Sequence, residues 1–587
     1  MRLNKKYLTW LAVVVLFAGC TKNLNQPPQA SATRDVVFSS PDGLQLYANS
    51  FYDSLPGIND LYKKDGDISD YGAENAIPNL IRPNAFSSRQ SSGWTWSKLR
   101  NINYFIAGNT SPQVIQTVRD NYTGIAKFFR AYFYYGMVQR FGDVPWIGKP
   151  LTVNDTALLY GHRDPHSKVM DSVLADLNYA IGHITTTDPT RSQVTKWVAY
   201  GLKSRICLFE GTYQKYQRSD LNAAARWLQE AAGAAKAVID SGGFSLNMLN
   251  GTDMSYRNVF ISMAPVASEV MFAIVSNQAL AVLNDANWWY TSSTYGVRLN
   301  FTRTFINTYL TLNGTPFTDI PGHDTLPFWK ETQGRDKRLQ QTIRTPGYMR
   351  ISSGKLVATP PAFNYTYTGY MPIKWCLDDT YYDAGTLNTN SIPFMRYAEI
   401  LLNYAEARAE LGQFVPDDWA KTIGALRQRA GITAWNTLPT VVDPYMKTNY
   451  FNDVDDPVLM EIRRERGIEL ALEGFRFADL TRWKHGELTT KVWTGMYVPA
   501  INQLLDLDQD GNPDVYFYQG TTAPGNLKGV TYISVSGASQ KLEHGTYGEI
   551  HWLEDLTPQW DNKFYLYPIP YNDLQLNPNL GQNPGWD

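Results

Sequence analysis

Cysteine is scarce. Three cysteines in 587 residues leave no room for a disulfide framework. Cys207 lies between Ile206 and Leu208 in a helical stretch and, like Cys376, reads as a buried free thiol rather than a nucleophile. An excess of either charge is also missing. Lys and Arg number 53 against 55 Asp and Glu, so no strong basic field exists to hold a phosphate backbone, and nucleic acid is not expected as a partner. Long hydrophobic runs are missing too: the one at residues 7–18 is too short to span a bilayer. No serine nucleophile elbow, phosphate-binding loop, dinucleotide fingerprint or zinc-protease helix occurs. His162 and His166 are four apart, but Pro165 breaks the helix that would align them on a metal. Nothing marks the two facing carboxyls of a glycosidase.

The N-terminus carries what the rest lacks. Arg2, Lys5 and Lys6 precede the apolar run, and Ala18-Gly19 precede Cys20. This is the pattern of a secretory signal, residues 1–19, ending at a bacterial lipoprotein cleavage site. Cys20 then becomes the lipidated first residue, anchored by acyl chains without a transmembrane helix. Residues 20–35, polar and proline-bearing, read as a tether to a body spanning 36–587.

Within that body, KFFRAYFYYGMVQRFG (127–142), VAYGLKSRICLFEGTY (198–213) and YAEILLNYAEARAELG (397–412) are each about four helical turns of aromatic, Leu and Ala residues. Each is followed by a second amphipathic stretch, near 167–183, 221–239 and 417–430. Paired helices with small residues at their contacts predict tetratricopeptide-type stacking with long insertions. The fold class expected is mostly α: a helical-repeat part over 36–240, then a loop-rich part over 241–587 with helices near 395–430 and 457–484. Short strands are expected at 270–275, 515–518 and 530–535, inside stretches rich in Asn, Thr, Tyr, Pro and Gly.

Residues 461–483, EIRRERGIELALEGFRFADLTRW, read as a helix with Gly474 as a C-terminal stop. Glu465, Glu469 and Glu473 share one stripe, which is destabilising unless cations meet it. Arg463, Arg464, Arg466, Arg476 and Arg482 are near in sequence. A partly buried ion network is expected; catalytic carboxylates are the sharper alternative.

Two further signals concern ligands. Asp506, Asp508, Asp510, Gly511, Asn512 and Asp514 match the opening positions of a calcium loop, although Phe517 stands where an EF-hand has its bidentate Glu. Either a structural calcium or a solvated acidic turn follows; no other cofactor is required. Aromatics are abundant, with 17 Trp and 37 Tyr. Trp94 and Trp96 flank a Gly/Ser loop, Trp329 lies in another loop, and Trp288, Trp289 and Tyr290 sit together in the polar stretch LNDANWWYTSST. Three large aromatics in a row cannot all face one core, and flat rings suit the C–H faces of sugars.

Four stretches carry a resemblance. AKFFRAYFYYGMVQRFGDVPWI (126–147), PFMRYAEILLNYAEARAELG (393–412), IRRERGIELALEGFRFADLTRW (462–483) and LYPIPYNDLQLNPNLGQNPGWD (566–587) are similar to motifs of the SusD/RagB family of Bacteroidetes outer-membrane nutrient-binding lipoproteins. The resemblance implies a tetratricopeptide-like core and a surface lipoprotein, not an enzyme. Such a protein delivers oligosaccharide, polysaccharide or sometimes peptide to a SusC-like TonB-dependent transporter. By position it places ligand contacts at Trp96 and Asn101, at Trp288, Trp289 and Tyr290, and at Arg82 of the loop before Trp96. The acidic tract often found after the lipidated cysteine is absent from TKNLNQ. A peptide-binding uptake protein on the same scaffold is the alternative; a surface glycosidase is a third.

Overall fold

The computed structural model describes residues 34–586; the signal, Cys20 and most of the tether lie outside them. The helices that organise it are α1 (Pro41–Asn49), α2 (Ser97–Gly108), α3 (Gln116–Phe141), α4 (His166–His183), α5 (Lys196–Tyr216), α6 (Leu221–Ser241), α7 (Gly251–Ile261), α8 (Tyr397–Glu410), α9 (Pro457–Glu469) and α10 (Arg476–Trp483). Side chains of Thr195 and Asp220 cap α5 and α6 by accepting from the backbone N–H of Val198 and Ala223. α3 packs on α4 and α5 on α6 as antiparallel hairpins, and α8 crosses both α5 and α6. Buried alanines, Ala231 and Ala235 among them, let α6 approach closely. The expected helical pairs are therefore present, and the fold is mostly helical with a few short strands.

A large core runs between these helices, and a second gathers the loop-rich half around Tyr256, Phe260, Phe305 and Trp375. Strand Val270–Ile274 pairs antiparallel with Ile392–Arg396, wholly buried, and the second strand runs directly into α8. Gln540–Leu542, Gly548–Trp552 and Trp493–Val498 form an antiparallel sheet. In another, Val515–Tyr518 lies between Thr531–Ser534, parallel to it, and the antiparallel Leu504–Leu505.

The stretch 461–483 differs from the single helix expected. α9 ends at Glu469, and the chain reverses through Leu472 and Gly474, both at positive φ, before α10 begins. The cause is a claim on the C-terminal carbonyls of α9. Arg396 Nη2 donates to Glu469 O at 2.7 Å, Lys374 Nζ to Ala471 O at 2.7 Å and Trp375 Nε1 to Leu472 O at 3.0 Å.

The ion network is real, but its cations are not the nearby arginines. Glu465 accepts from Arg338 at 2.8 Å and Arg427 at 2.6 Å. Glu469 accepts from Arg338 at 3.0 Å, Arg396 at 2.6 Å and Arg429. Glu473 accepts from Arg396 and from Lys374 at 2.6 Å. Glu269 joins through Arg396 and Arg429. The neighbouring arginines go elsewhere: Arg466 to Asp479, Arg476 to Asp70, and Arg482 to Glu406. Burial opposes charge on Glu469, yet Arg429, Arg396 and Arg338 outweigh it and hold the carboxyl well below its usual range. With Glu465 and Glu469 both 0% exposed and saturated by arginine, these carboxylates have no opening to a substrate.

Candidate functional site

The Trp94–Trp96 loop stands between two grooves. It enters α2, and its rings lean on α3: Trp96 meets Trp94 edge-on at 5.3 Å and lies 5.7 Å from Phe133. On one side is a groove of about 700 Å³ lined by Trp96, Leu99, Ile147, Leu151, Val153 and Leu159, with Arg100, Lys149 and Thr152 at its polar edge. Aliphatic side chains dominate it, and Val153 is 85% exposed.

The other side is different in kind. A trough of about 380 Å³ runs past Thr95 and Lys98, over Tyr132 and Phe133 of α3, with Phe394 and Phe475 on the far wall. It continues into a space of about 250 Å³ that shares Lys64, Gln139, Arg140 and Gly474 and ends at Asp67 and Tyr567. Rings and polar groups alternate along it. Gly136, exposed on α3, keeps the floor open between Phe133 and Arg140.

Of the residues singled out in the sequence, Trp96 lines the aliphatic groove, while its neighbours Gly93, Thr95 and Lys98 line the trough. Asn101 does not line either groove: its Oδ1 accepts from Tyr47 Oη at 2.6 Å and its Nδ2 donates to Ser50 Oγ at 2.9 Å, tying α2 to the end of α1. Arg82 is exposed and donates to Asn79 Oδ1 at 2.6 Å, in a turn held where Gln559 N donates to Ile81 O.

The cluster at 288–290 is a short helix, Ala286–Thr291, and its three rings go three ways. Trp288 stacks on Tyr295, with centroids 3.7 Å apart. Trp289 is closed in by Lys63, whose Nζ sits 4.8 Å from the ring, and by the backbone of Gly296, where a Cβ would come within 2.6 Å of it. Tyr290 is buried, and its Oη donates to Tyr62 O at 2.9 Å. The expectation that Tyr290 faces a ligand is corrected: two residues of helix, about 200° of rotation, carry it into the core, away from Trp288. Trp329 likewise lies on a short helix, Phe328–Glu331.

One element joins the two aromatic regions. In the turn Leu61–Gly66, Lys63 bonds Asp285 at 2.7 Å beneath Trp289, while its neighbour Lys64 opens into the trough. Lys64, Gln139, Arg140 and Phe475 were not read from the sequence. The available signal was the mixture Tyr132, Gly136, Gln139 and Arg140 on one face of α3, a polar and open stripe in an otherwise apolar helix.

The acidic loop is the turn of a hairpin, since Leu505 pairs with Val515. Phe517 is fully buried, its strand being core rather than a helix supplying a ligand. Asp506, Asp508 and Asp514 bring carboxylate oxygens within 4.8 Å of one another. Asp510 is turned to the N–H of Asn512 at 2.7 Å. Burial, then the charges of Asp508, Asp506 and Asp510, push the Asp514 carboxyl up to about 7. Convergent, hard oxygen donors of this kind fit calcium chemistry.

Comparison with known proteins places this fold. The family model described as "SusD family" matches residues 268–586, and one described as "Starch-binding associating with outer membrane" matches residues 42–208. The chain belongs to the SusD family. It is 23% identical to SusD-like protein P2 of Formosa agariphila over 519 residues, 82% of this chain and 91% of that one. The crystal structure of a SusD-like protein from Bacteroides fragilis matches with a TM-score of 0.68 at 21% identity, covering 95% of this chain and all of the other. A second B. fragilis structure, described as a SusD-like carbohydrate binding protein, matches at 0.66 with 19% identity over 93% of this chain and 99% of its own. Among the described residues no helix is long and apolar enough to cross a membrane.

Proposed function

We propose that this chain captures saccharide at the outer membrane without transforming it and passes it to a TonB-dependent transporter, working from a lipid anchor at Cys20 that faces the exterior. The observation that carries the reading is the trough beside the Trp96 loop. Rings of Tyr132, Phe133 and Phe475 offer flat apolar faces to sugar C–H groups, and Lys64, Gln139 and Arg140 offer donors to hydroxyls. The descriptions of the matched family and of the B. fragilis relative support it. Affinity should be modest, about micromolar to millimolar, as an open site that must release its cargo requires. A calcium ion in the 506–514 hairpin belongs to the same reading, as a structural ion remote from the chemistry of binding.

A second reading has its own observation. The aliphatic groove at Leu99, Ile147, Leu151 and Leu159 suits apolar peptide side chains better than sugars. Affinity electrophoresis of residues 21–587 through gels of plant, fungal and bacterial polysaccharides separates the two. Retardation lost in a Phe133→Ala, Phe475→Ala variant supports the trough. Retardation lost instead in Trp288→Ala, Trp289→Ala moves the site to the Lys63 cluster. Release of products from any retarding glycan would overturn the noncatalytic reading, and binding of peptides alone would favour the second.

A further inference from the structure

The trough holds two cations, Lys64 and Arg140, that form no salt bridge among the described residues. Arginines of the buried cluster are each paired with a carboxylate, and the trough's own walls show the contrast. Arg205 is held by Glu399 at 2.6 and 2.7 Å, and Glu473 by Arg396 and Lys374. Lys98 faces Asp53 at 3.8 Å. Lys64 and Arg140 have no carboxylate at ion-pair distance among the described residues; the charges of Asp65 and Asp67 reach Lys64, and Asp67 also feels Arg140. Arg140 Nε donates to Ser92 O at 3.0 Å and its guanidinium lies 4.0 Å over the Tyr567 ring, which leaves its terminal nitrogens free. Lys64 makes no hydrogen bond, and its side chain is exposed to the trough.

Both side chains are seated rather than loose. The Lys64 stem crosses Gly474: a Cβ there would lie 2.9 Å from Lys64 Cδ. The Arg140 stem crosses Gly93 in the same way, 3.3 Å from Arg140 Nε. Each glycine has a positive φ, +79° and +91°, so a turn that only glycine adopts freely makes room for each cation. Two cations without a salt bridge, both lining the same trough of about 380 Å³ with an aromatic floor, suit an anion carried on a ring. Asp67, which lines the adjoining space with them, is the carboxylate that feels both cations, Lys64 more than Arg140, and an incoming anion competes with it.

We propose that the trough selects an anionic saccharide, its uronate carboxylate or sulfate ester held between Lys64 and Arg140 while the sugar ring lies on Phe133 and Phe475. This deepens the saccharide reading above and rests on it. A neutral glycan would leave both cations hydrated and gain nothing from them; an acidic one replaces that water with two charge-assisted contacts.

The test is an array of neutral, uronate-bearing and sulfated oligosaccharides, followed by titration of whichever bind, with wild type, Lys64→Ala and Lys64→Arg. Polygalacturonate oligomers are run beside their methyl esters, and κ-carrageenan oligomers beside their desulfated forms, so that carboxylate and sulfate are told apart on matched backbones. The expected result is binding of a charged member, lost with its charge. Affinity falls about tenfold or more in Lys64→Ala and returns in Lys64→Arg. Equal binding of charged and neutral partners, or an unchanged affinity in Lys64→Ala, overturns the anionic assignment and leaves the saccharide reading standing. No binding to any member overturns both.

Discussion

Two charged regions meet at residues 473–475, and they obey opposite rules. Glu473 belongs to the buried cluster, where Glu465, Glu469, Glu473 and Glu269 are matched by Arg338, Arg396, Arg427, Arg429 and Lys374. Gly474 and Phe475, the next two residues, form the wall of the trough, where Lys64 and Arg140 are left open. One region spends its charges on holding five distant segments together; the other keeps them for something outside. The difference teaches that the count of charges says little here. In this pair of regions, what differs is whether the side chain's donors are taken up inside the fold: Arg396 gives its donors to Glu269, Glu469 and Glu473, and Lys64 makes no hydrogen bond.

The comparison breaks hardest if a member of the cluster proves dispensable. Arg396→Ala strips Glu269, Glu469 and Glu473 of a shared guanidinium while leaving all three buried. Removing one partner from a buried network typically costs about 3–5 kcal/mol. Denaturant unfolding should therefore show a loss of that size, or a protein that no longer accumulates folded. A loss below about 1 kcal/mol would mean that the cluster relaxes or takes up water, and that its pairing is not what sets it apart from the trough.

The sequence made one half of this legible and hid the other. Helical hairpins announced themselves because α5 and α6 each carry a continuous apolar stripe, and the short strands because 270–275 is an unbroken apolar run. The stripe of Glu465, Glu469 and Glu473 announced a network too. Its partners were misassigned because a one-dimensional reading ranks Arg463 and Arg466 above Arg338, Arg396 and Arg429, which arrive through the chain's long returns. The end of α9 was hidden for the same reason, since Lys374, Trp375 and Arg396 are what claim its carbonyls. Trp96 was found because a tryptophan in a polar loop stands out locally. The trough beside its loop was not, because it is assembled from residues 53–64, 93–98, 132–140 and 473–478 with Arg205 and Phe394, none of which carries the pattern alone. Tyr290 shows the limit of the local argument: three aromatics in a row did diverge, but one of them diverged into the core.

A third charged region, the 506–514 hairpin, falls between the two, with carboxylates that are clustered and uncompensated. If calcium completes it, the region joins the paired class. Ligand present at a hundredfold excess over its dissociation constant stabilises by about 2.7 kcal/mol. Calcium should then raise the unfolding temperature of wild type, chelator should reverse the rise, and Asp506→Asn with Asp508→Asn should abolish it. No shift at millimolar calcium would leave the hairpin a solvated turn, consistent with the backbone N–H groups of Gln509 and Gly511 that Asp506 already accepts.

The smallest effect is the sharpest contrast with Arg396. Lys64 is exposed, unpaired and makes no hydrogen bond, so Lys64→Ala should change stability by no more than about 0.5 kcal/mol. A cation that the fold does not need, seated over a glycine turn beside a floor of phenyl rings, is placed for a ligand. If Lys64→Ala instead destabilises by 2 kcal/mol or more, the side chain is serving the fold through its stem on Gly474. The line between a paired structural charge and an open functional one would then have to be drawn at Arg140 alone.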